Sequence, residues 1–284
     1  MSGIVYLNGE YLPAEEARVP VLDRGFIFGD GVYEVIPAYN GKLFRLDEHL
    51  QRLDDSLTAT RITNPYSNTE WRTILETLLE KNGDGDQSVY LQVTRGIAVR
   101  DHGFPEKITP TVFVMCNPLK PVDNQVREQG VCAITLEDTR WKHCNIKAIT
   151  LLPNILLRQE AVDAGCAEAI LIRDGLVTEG AASNVFVVHN GRITTPPKSR
   201  QLLPGITRDL VVELANKHGL DCVEEDIPVA TLTQADEIWL TSSTREILPV
   251  TRLDDQPVGD GRPGPVWAKM FAIYQDYKQA LRRA

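Results

Sequence analysis

Apolar and polar positions in the first half of this chain alternate in two rhythms. Val5-Tyr6-Leu7 and Tyr11-Leu12 flank Asn8-Gly9, a pairing that favours a two-residue hairpin turn. A strand from about Val32 to Tyr39 leads into a second such turn at Asn40-Gly41. From Leu46 the period becomes helical, with Leu46, Leu50, Leu53 and Leu57 on one face, and Asp47 is expected to cap it. A second helix is predicted over Thr69 to Lys81, ended by the Gly- and Asp-rich stretch Asn82 to Asp86. Val89, Leu91 and Val93 then alternate as in a half-buried strand, and Thr111 to Cys116 predicts another.

The prolines of Asn117-Pro118-Leu119-Lys120-Pro121-Val122-Asp123 break any regular element. They suggest an α/β domain over residues 1–117, a linker at 118–124 and a second α/β domain over 125–284. Beyond them, Ala169 to Ile172, Val185 to Val188 and Ile238 to Leu240 read as buried strands. Leu152 to Ala164, Thr207 to His218 and Val266 to Leu281 read as helices. The sum predicts a two-domain α/β or α+β protein.

Composition narrows the partners. With 284 residues, 43% hydrophobic and 24% charged, the chain can bury a core without staples. A net charge of -9 argues against nucleic acid held by bulk electrostatics. No apolar run reaches membrane-spanning length, and Met1-Ser2-Gly3-Ile4-Val5-Tyr6 lacks the pattern of a secretion leader. The five cysteines, with no CxxC pair, are expected to be reduced and mostly structural thiols in a cytoplasmic protein. No histidine falls in an HxxxH or HExxH arrangement, so no metal site is expected.

Two motifs mislead. Gly259-Asp260-Gly261-Arg262-Pro263-Gly264 fits a dinucleotide fingerprint, but its helix is the last element and no βαβ unit can follow, so a polar turn is expected. Asp84 and Asp86 lack the later ligands of a calcium loop.

Four segments carry candidate chemistry. Lys147 lies in the apolar run Ile146-Lys147-Ala148-Ile149, where lost solvation favours the neutral amine that attacks aldehydes. Lys269 has similarly apolar neighbours but sits on the flank of an amphipathic helix. In Thr178-Glu179-Gly180-Ala181-Ala182-Ser183-Asn184, small residues let another group approach a carboxylate, which if buried needs a cationic partner such as a protonated ring nitrogen. Leu203-Pro204-Gly205-Ile206-Thr207-Arg208 opens a helix whose free N–H groups can hold phosphate. Arg52 and the hydroxyls of Thr241-Ser242-Ser243-Thr244 could add contacts. In the loop after Thr94, Arg100 and His102 project the same way and can trap a carboxylate. Each segment alone also fits a plainer role: a lysine reaching solvent, a hairpin turn, a capped helix start, a solvated loop.

Taken in order, these segments resemble the class IV, fold-type IV pyridoxal phosphate enzymes, most closely the bacterial D-amino acid (D-alanine) transaminases. The likeness begins at Asp23-Arg24-Gly25-Phe26-Ile27-Phe28-Gly29-Asp30-Gly31-Val32-Tyr33-Glu34, runs through Glu48 to Leu53 and covers nearly the whole chain. It implies two α/β domains with the active site between them. It implies that Lys147 carries pyridoxal 5′-phosphate as an internal aldimine and shuttles the Cα proton, and that Glu179 pairs with the ring nitrogen. Arg52, Ile206, Thr207, Ser242 and Ser243 would hold the phosphate, and Leu203 would pack on the ring. Tyr33, Arg100 and His102 would bind the substrate α-carboxylate across a homodimer. The implied reaction is ping-pong transamination between a D-amino acid such as D-alanine and a 2-oxo acid such as 2-oxoglutarate. A branched-chain L-transaminase, an aminodeoxychorismate lyase and a non-catalytic cofactor-binding protein are the rivals. One departure is that Ala181 and Ala182 stand where close relatives often have serines.

Overall fold

The computed structural model describes residues 3–283; Met1 and Ser2 of the N-terminal stretch considered above lie outside them. The chain divides into two compact units. The first runs to Lys120 and also takes in Ile146–Leu151 and the residues from Leu281 onward; the second comprises Pro121–Asn145 and Leu152–Ala280.

In the first unit, β1 (Ile4–Leu7) and β2 (Glu10–Pro13) form the expected hairpin, with Asn8 and Gly9 both at positive φ. The elements α1 (Arg24–Phe28), β3 (Gly31–Tyr39), β4 (Lys42–Leu43), α2 (Leu46–Thr60), α3 (Asn68–Lys81), β5 (Gln87–Thr94) and β6 (Thr111–Pro118) follow. The strands make one antiparallel sheet in the order β2-β1-β6-β5-β3-β4. Alternation along β3 and β5 turns Val32, Ile36, Val89, Leu91 and Val93 into a core shared with Leu50, Leu53 and Leu57 of α2 and with Trp71, Leu75 and Leu78 of α3. Asp47 is not the cap of α2. The helix already starts at Leu46, which is buried, after Arg45 at φ 51°, and Asp47 lies within the first turn, where its charge favours the helix dipole. Helix α3 is closed by a reciprocal capping box between Ser67 and Glu70.

The second unit contains α4 (Asn124–Gln129), β7 (Val131–Glu137), α5 (Leu152–Asp163), β8 (Glu168–Arg173), β9 (Leu176–Gly180), β10 (Asn184–His189), β11 (Arg192–Thr195) and α6 (Ile206–Lys217). It continues with β12 (Cys222–Glu224), α7 (Val229–Thr233), β13 (Glu237–Ser242), β14 (Glu246–Leu253), β15 (Gln256–Pro257) and α8 (Pro265–Arg283) as far as Ala280. Its nine-stranded sheet has the order β12-β11-β10-β13-β14-β7-β8-β9, with β15 on β14, and it is parallel where β11 meets β12, β14 meets β7 and β7 meets β8. The central strands β10 and β13 are buried on both faces, which is why they read as unbroken apolar runs.

The glycine-rich decoy is a turn ahead of α8. The first N–H groups of that helix, at Val266 and Trp267, donate to the Glu237 carboxylate at 2.9 and 2.7 Å, and a Cβ on Gly264 would collide with that side chain. The thiol expectation is corrected at one pair. Cys132 at the start of β7 and Cys166 after α5 are disulfide-bonded, because strand pairing brings their Cα atoms within 4.9 Å; Cys116, Cys144 and Cys222 are free. Among the described residues, no helix is long and apolar enough to cross a membrane.

Candidate active site

The candidate residues assemble within each unit. In the first, Ile146–Leu151 runs antiparallel beside β3. Tyr33 N donates to Lys147 O at 2.9 Å, Ile149 N donates to Gly31 O at 3.1 Å, and Val32 bridges Ala148. Lys147 therefore lies directly opposite Tyr33 on one face, and its Nζ stands 4.2 Å from the centre of the Tyr33 ring. Tyr33 in turn stacks on Tyr90 with ring centres 5.7 Å apart. Lys147 N donates to Ser56 Oγ at 3.2 Å, which ties the segment to α2. Among the described residues Nζ makes no ion pair, so the amine is held by aromatic packing rather than by a carboxylate.

Beneath it, Glu34 is fully buried. Arg52 Nε donates to one of its oxygens at 2.8 Å and Nη2 to the other at 2.7 Å, and His49 Nδ1 lies 2.7 Å away. Burial pushes the Glu34 carboxyl up, but Arg52 and His49 outweigh it and hold it well below the ordinary range. Arg52, expected at a phosphate, is thus oriented by a carboxylate that the sequence did not single out. The Arg52 fork is planar and bidentate, which fixes its direction.

Arg100 and His102 are exposed, and both meet one ring: the Arg100 guanidinium is 5.2 Å and the His102 ring 5.5 Å from the centre of Phe28. Both therefore border the Phe28 ring, and strand alternation plays no part in that.

In the second unit Glu179 lies in β9, one residue from its end. Its Oε1 accepts from Arg140 Nη1 at 2.6 Å; its Oε2 accepts from Leu203 N at 3.0 Å and Asn184 Nδ2 at 3.2 Å. Arg140 is oriented by Asp138, which takes Nε at 2.9 Å and Nη2 at 3.0 Å, and Asp138 also accepts from Thr178 Oγ1 at 3.0 Å. Burial raises Glu179 to about 7 against the opposing pull of Arg140 and the Leu203 N–H, so this carboxyl favours a further cationic neighbour. Sequence reasoning missed Arg140 and Asp138, whose partners Glu179 and Thr178 lie 39 and 40 positions further along the chain, so no local pattern marked them.

Gly205 precedes α6, and a Cβ there would collide with Asn184 Oδ1. Only glycine lets the helix start this close to Asn184, which itself donates to Leu203 O at 2.9 Å. No side chain caps α6, and Ile206 and Thr207 in its first turn are buried. Asn184 is the register partner of Thr241, whose buried hydroxyl has no partner among the described residues. Ser242 and Ser243 follow, half-buried, with Ser242 Oγ accepting from Arg245 N at 3.3 Å. An uncapped helix start beside an unpaired hydroxyl and two serines suits an anion.

An unpaired lysine amine and a buried carboxyl are groups an amino-group-transferring enzyme would use, and the chain belongs to the family described as Amino-transferase class IV, whose profile matches residues 31–253. It is 44% identical over 272 residues to the D-alanine aminotransferase of Bacillus licheniformis, covering 96% of each chain. To the D-alanine aminotransferase of Staphylococcus haemolyticus it is 38% identical over 275 residues, covering 96% of this chain and 97% of that one. Among solved structures it resembles the branched-chain amino acid aminotransferase of Escherichia coli, with TM-score 0.91, 28% identity and coverage of 97% and 94% of the two chains. A T.th. branched-chain amino acid aminotransferase solved with pyridoxamine 5′-phosphate matches with TM-score 0.92 and 27% identity over the same shares. The expected fold-type IV, two-domain α/β class is met.

Proposed function

We propose that this aminotransferase moves the amino group of a D-amino acid such as D-alanine to a 2-oxo acid such as 2-oxoglutarate, using pyridoxal 5′-phosphate. The observation that carries the reading is the pair Arg100 and His102 on one ring, two exposed donors suited to an α-carboxylate. The likeness to D-alanine aminotransferases at 38–44% identity, against 27–28% for the branched-chain structures, supports the D-specific choice.

The residues fit the cofactor. Ile206 and Thr207 at the uncapped start of α6, with Ser242, Ser243 and Arg52, would hold its phosphate, and Leu203 would pack on its ring. Glu179, raised to about 7 by burial, would gain a cationic partner in the ring nitrogen and keep it protonated. When bound, the cofactor supplies an electron sink for charge developing at the substrate Cα. Lys147 Nζ would anchor the cofactor and, once displaced by the incoming amine, would take up the proton leaving the substrate Cα. Because Lys147 and Tyr33 share one strand-paired face, Nζ would approach from one side, and the carboxylate anchors would decide which enantiomer presents its hydrogen there.

The reading includes a homodimer. Val21, Phe26, Ile97 and Val99 are exposed, and the backbone pairing of Asp23 with Ile97 joins the two segments that carry them, apolar surface that a partner copy would cover. Light scattering is expected to give twice the chain mass. The reading also includes a cytoplasmic location, checked by fractionating cells that express the chain. The decisive assay incubates the enzyme with 2-oxoglutarate and either D-alanine or L-leucine. Pyruvate from D-alanine with no turnover of L-leucine is the expected result; turnover of L-leucine alone overturns it in favour of the branched-chain reading.

A further inference from the structure

The sequence motif from Asp23 to Asp30 has no role in the chemistry above, yet two of its residues hold the loop that carries Arg100 and His102. Arg24 is 4% exposed. Its Nε donates to Asp30 Oδ2 at 2.7 Å, and its Nη1 reaches forward to the carbonyl of Asp101 at 2.6 Å and that of Gly103 at 3.4 Å. Those carbonyls flank His102 on both sides. The same guanidinium lies 4.8 Å from the centre of the Phe28 ring, the ring on which Arg100 and His102 rest.

Asp30 is shared. Arg95 Nε and Nη2 donate to its two oxygens at 2.8 and 2.9 Å, and Arg95 also donates to the carbonyls of Arg61 at 3.0 Å and Thr60 at 2.8 Å at the end of α2. Burial works to raise the Asp30 carboxyl, but hydrogen bonds from Arg95 and Arg24 hold it below its ordinary value. The far end of the loop is fixed by Phe104, whose ring centre lies 3.7 Å from the Arg95 guanidinium. One carboxylate therefore anchors two guanidiniums, and each grips a different part of an otherwise exposed loop.

We infer that Arg24 and Phe28 are positioning residues for the substrate α-carboxylate, acting only through Arg100 and His102. Arg24 sets the backbone of the loop and Phe28 sets the direction of the two side chains. Lysine is a poor replacement for Arg24, because its compact ammonium does not supply the separate Nε and Nη1 donors that face the carboxylate and the carbonyls. This inference rests on the proposed role of Arg100 and His102.

The test uses purified holoenzyme carrying Arg24→Lys, Phe28→Leu, the pair Arg100→Ala with His102→Ala, and each of the first two combined with that pair. Arg24→Lys is expected to raise KM for both D-alanine and 2-oxoglutarate by about tenfold while kcat changes by less than about twofold. Phe28→Leu is expected to do the same by a few fold. In the background of the double alanine variant, both further effects are expected to vanish, since the groups being positioned are gone. Effects that multiply in that background, or a fall in kcat and melting temperature with KM unchanged, overturn the inference. Should Arg24→Lys fail to fold, Phe28→Leu decides by the same two readings. If the double alanine variant leaves KM unchanged, the carboxylate role itself falls. If it raises KM while Arg24→Lys and Phe28→Leu do not, that role stands and the positioning inference is wrong.

Discussion

Lys147 and Glu179 are proposed to meet the same molecule, yet their surroundings are opposite in kind. The amine of Lys147 rests over the Tyr33 ring with no ion pair among the described residues, and the segment around it is half-buried. Glu179 is buried, and it is gripped by Arg140, Leu203 N–H and Asn184, with Asp138 and Thr178 behind them. A nucleophile that must form and break bonds gains from loose, weakly polar packing. A carboxyl that must meet a partner in one fixed direction gains from a preorganised cage. Activity and stability should therefore separate between the two places.

The largest expected effect is on the loose side. Lys147→Ala should lower transamination by at least about a thousandfold and abolish covalent fixation of the cofactor by borohydride, because in the proposed reading one residue serves as both anchor and proton carrier. Its melting temperature should barely move, since only a cation–π contact worth about 1 kcal/mol is lost. A large drop in stability would break the comparison. On the caged side the order should reverse. Arg140→Met leaves the buried Asp138 and Glu179 carboxylates without their shared cation and should cost about 3–5 kcal/mol of unfolding free energy in denaturant titration of the apoprotein. Retention of full stability would show that the cage is decorative.

Glu179 sharpens the same contrast through pH. Its carboxyl stands at about 7 in the fold against an ordinary value of 4.5. The folded form thus binds a proton that the unfolded chain has released, and the associated stability is present below 4.5 and lost as pH rises through about 7. That amounts to roughly 3 kcal/mol. Apoprotein melting followed from pH 4.5 to about 8 should show this loss, and Glu179→Gln should remove it; an unchanged slope in that variant assigns the effect to another group. The smallest effect belongs to Gly205→Ala. Its new methyl group would displace Asn184 and cost about 2 kcal/mol, read by the same melting, with a rise in the dissociation constant for the cofactor. Tolerance of alanine would mean that the start of α6 has room to shift.

The elements with strong periodicity were legible in the sequence. The hairpin at Asn8-Gly9, helices α2, α3, α6 and α8, and strands β3, β5, β10 and β13 follow from patterns that depend only on near neighbours. What escaped depends on distant partners. Strand β14 carries Pro249 and reads poorly alone, yet it pairs with β13 along Ile247 to Val250 and with β7 on its other side. The short helices α1, α4 and α7 are too brief for any apolar period to show. At the site, Lys147 and Glu179 could be picked out by local context, whereas Glu34, Asp138 and Arg140 could not. Their importance comes from hydrogen bonds spanning up to 40 positions of sequence, and nothing in their immediate neighbours shows where those partners lie. The disulfide between Cys132 and Cys166 escaped for the same reason, since 34 positions separate them.

The strand-like pairing of Ile146–Leu151 beside β3 has a bearing on how such a chain can change over generations. Side chains along a paired segment point alternately to opposite faces, so counting residues decides where each one faces. Lys147 faces the Tyr33 ring because its carbonyl receives the Tyr33 N–H. Insert or delete a single residue between Ser56's contact at Lys147 and the pairing of Ile149 with Gly31, and the amine is carried to the wrong side with every neighbour's identity preserved. Substitutions here are a graded matter, but spacing is all-or-none. Drift in this stretch is therefore confined to exchanges at constant length, while the exposed turns at Gly83 and Gly191, where added side chains meet nothing, remain open to lengthening.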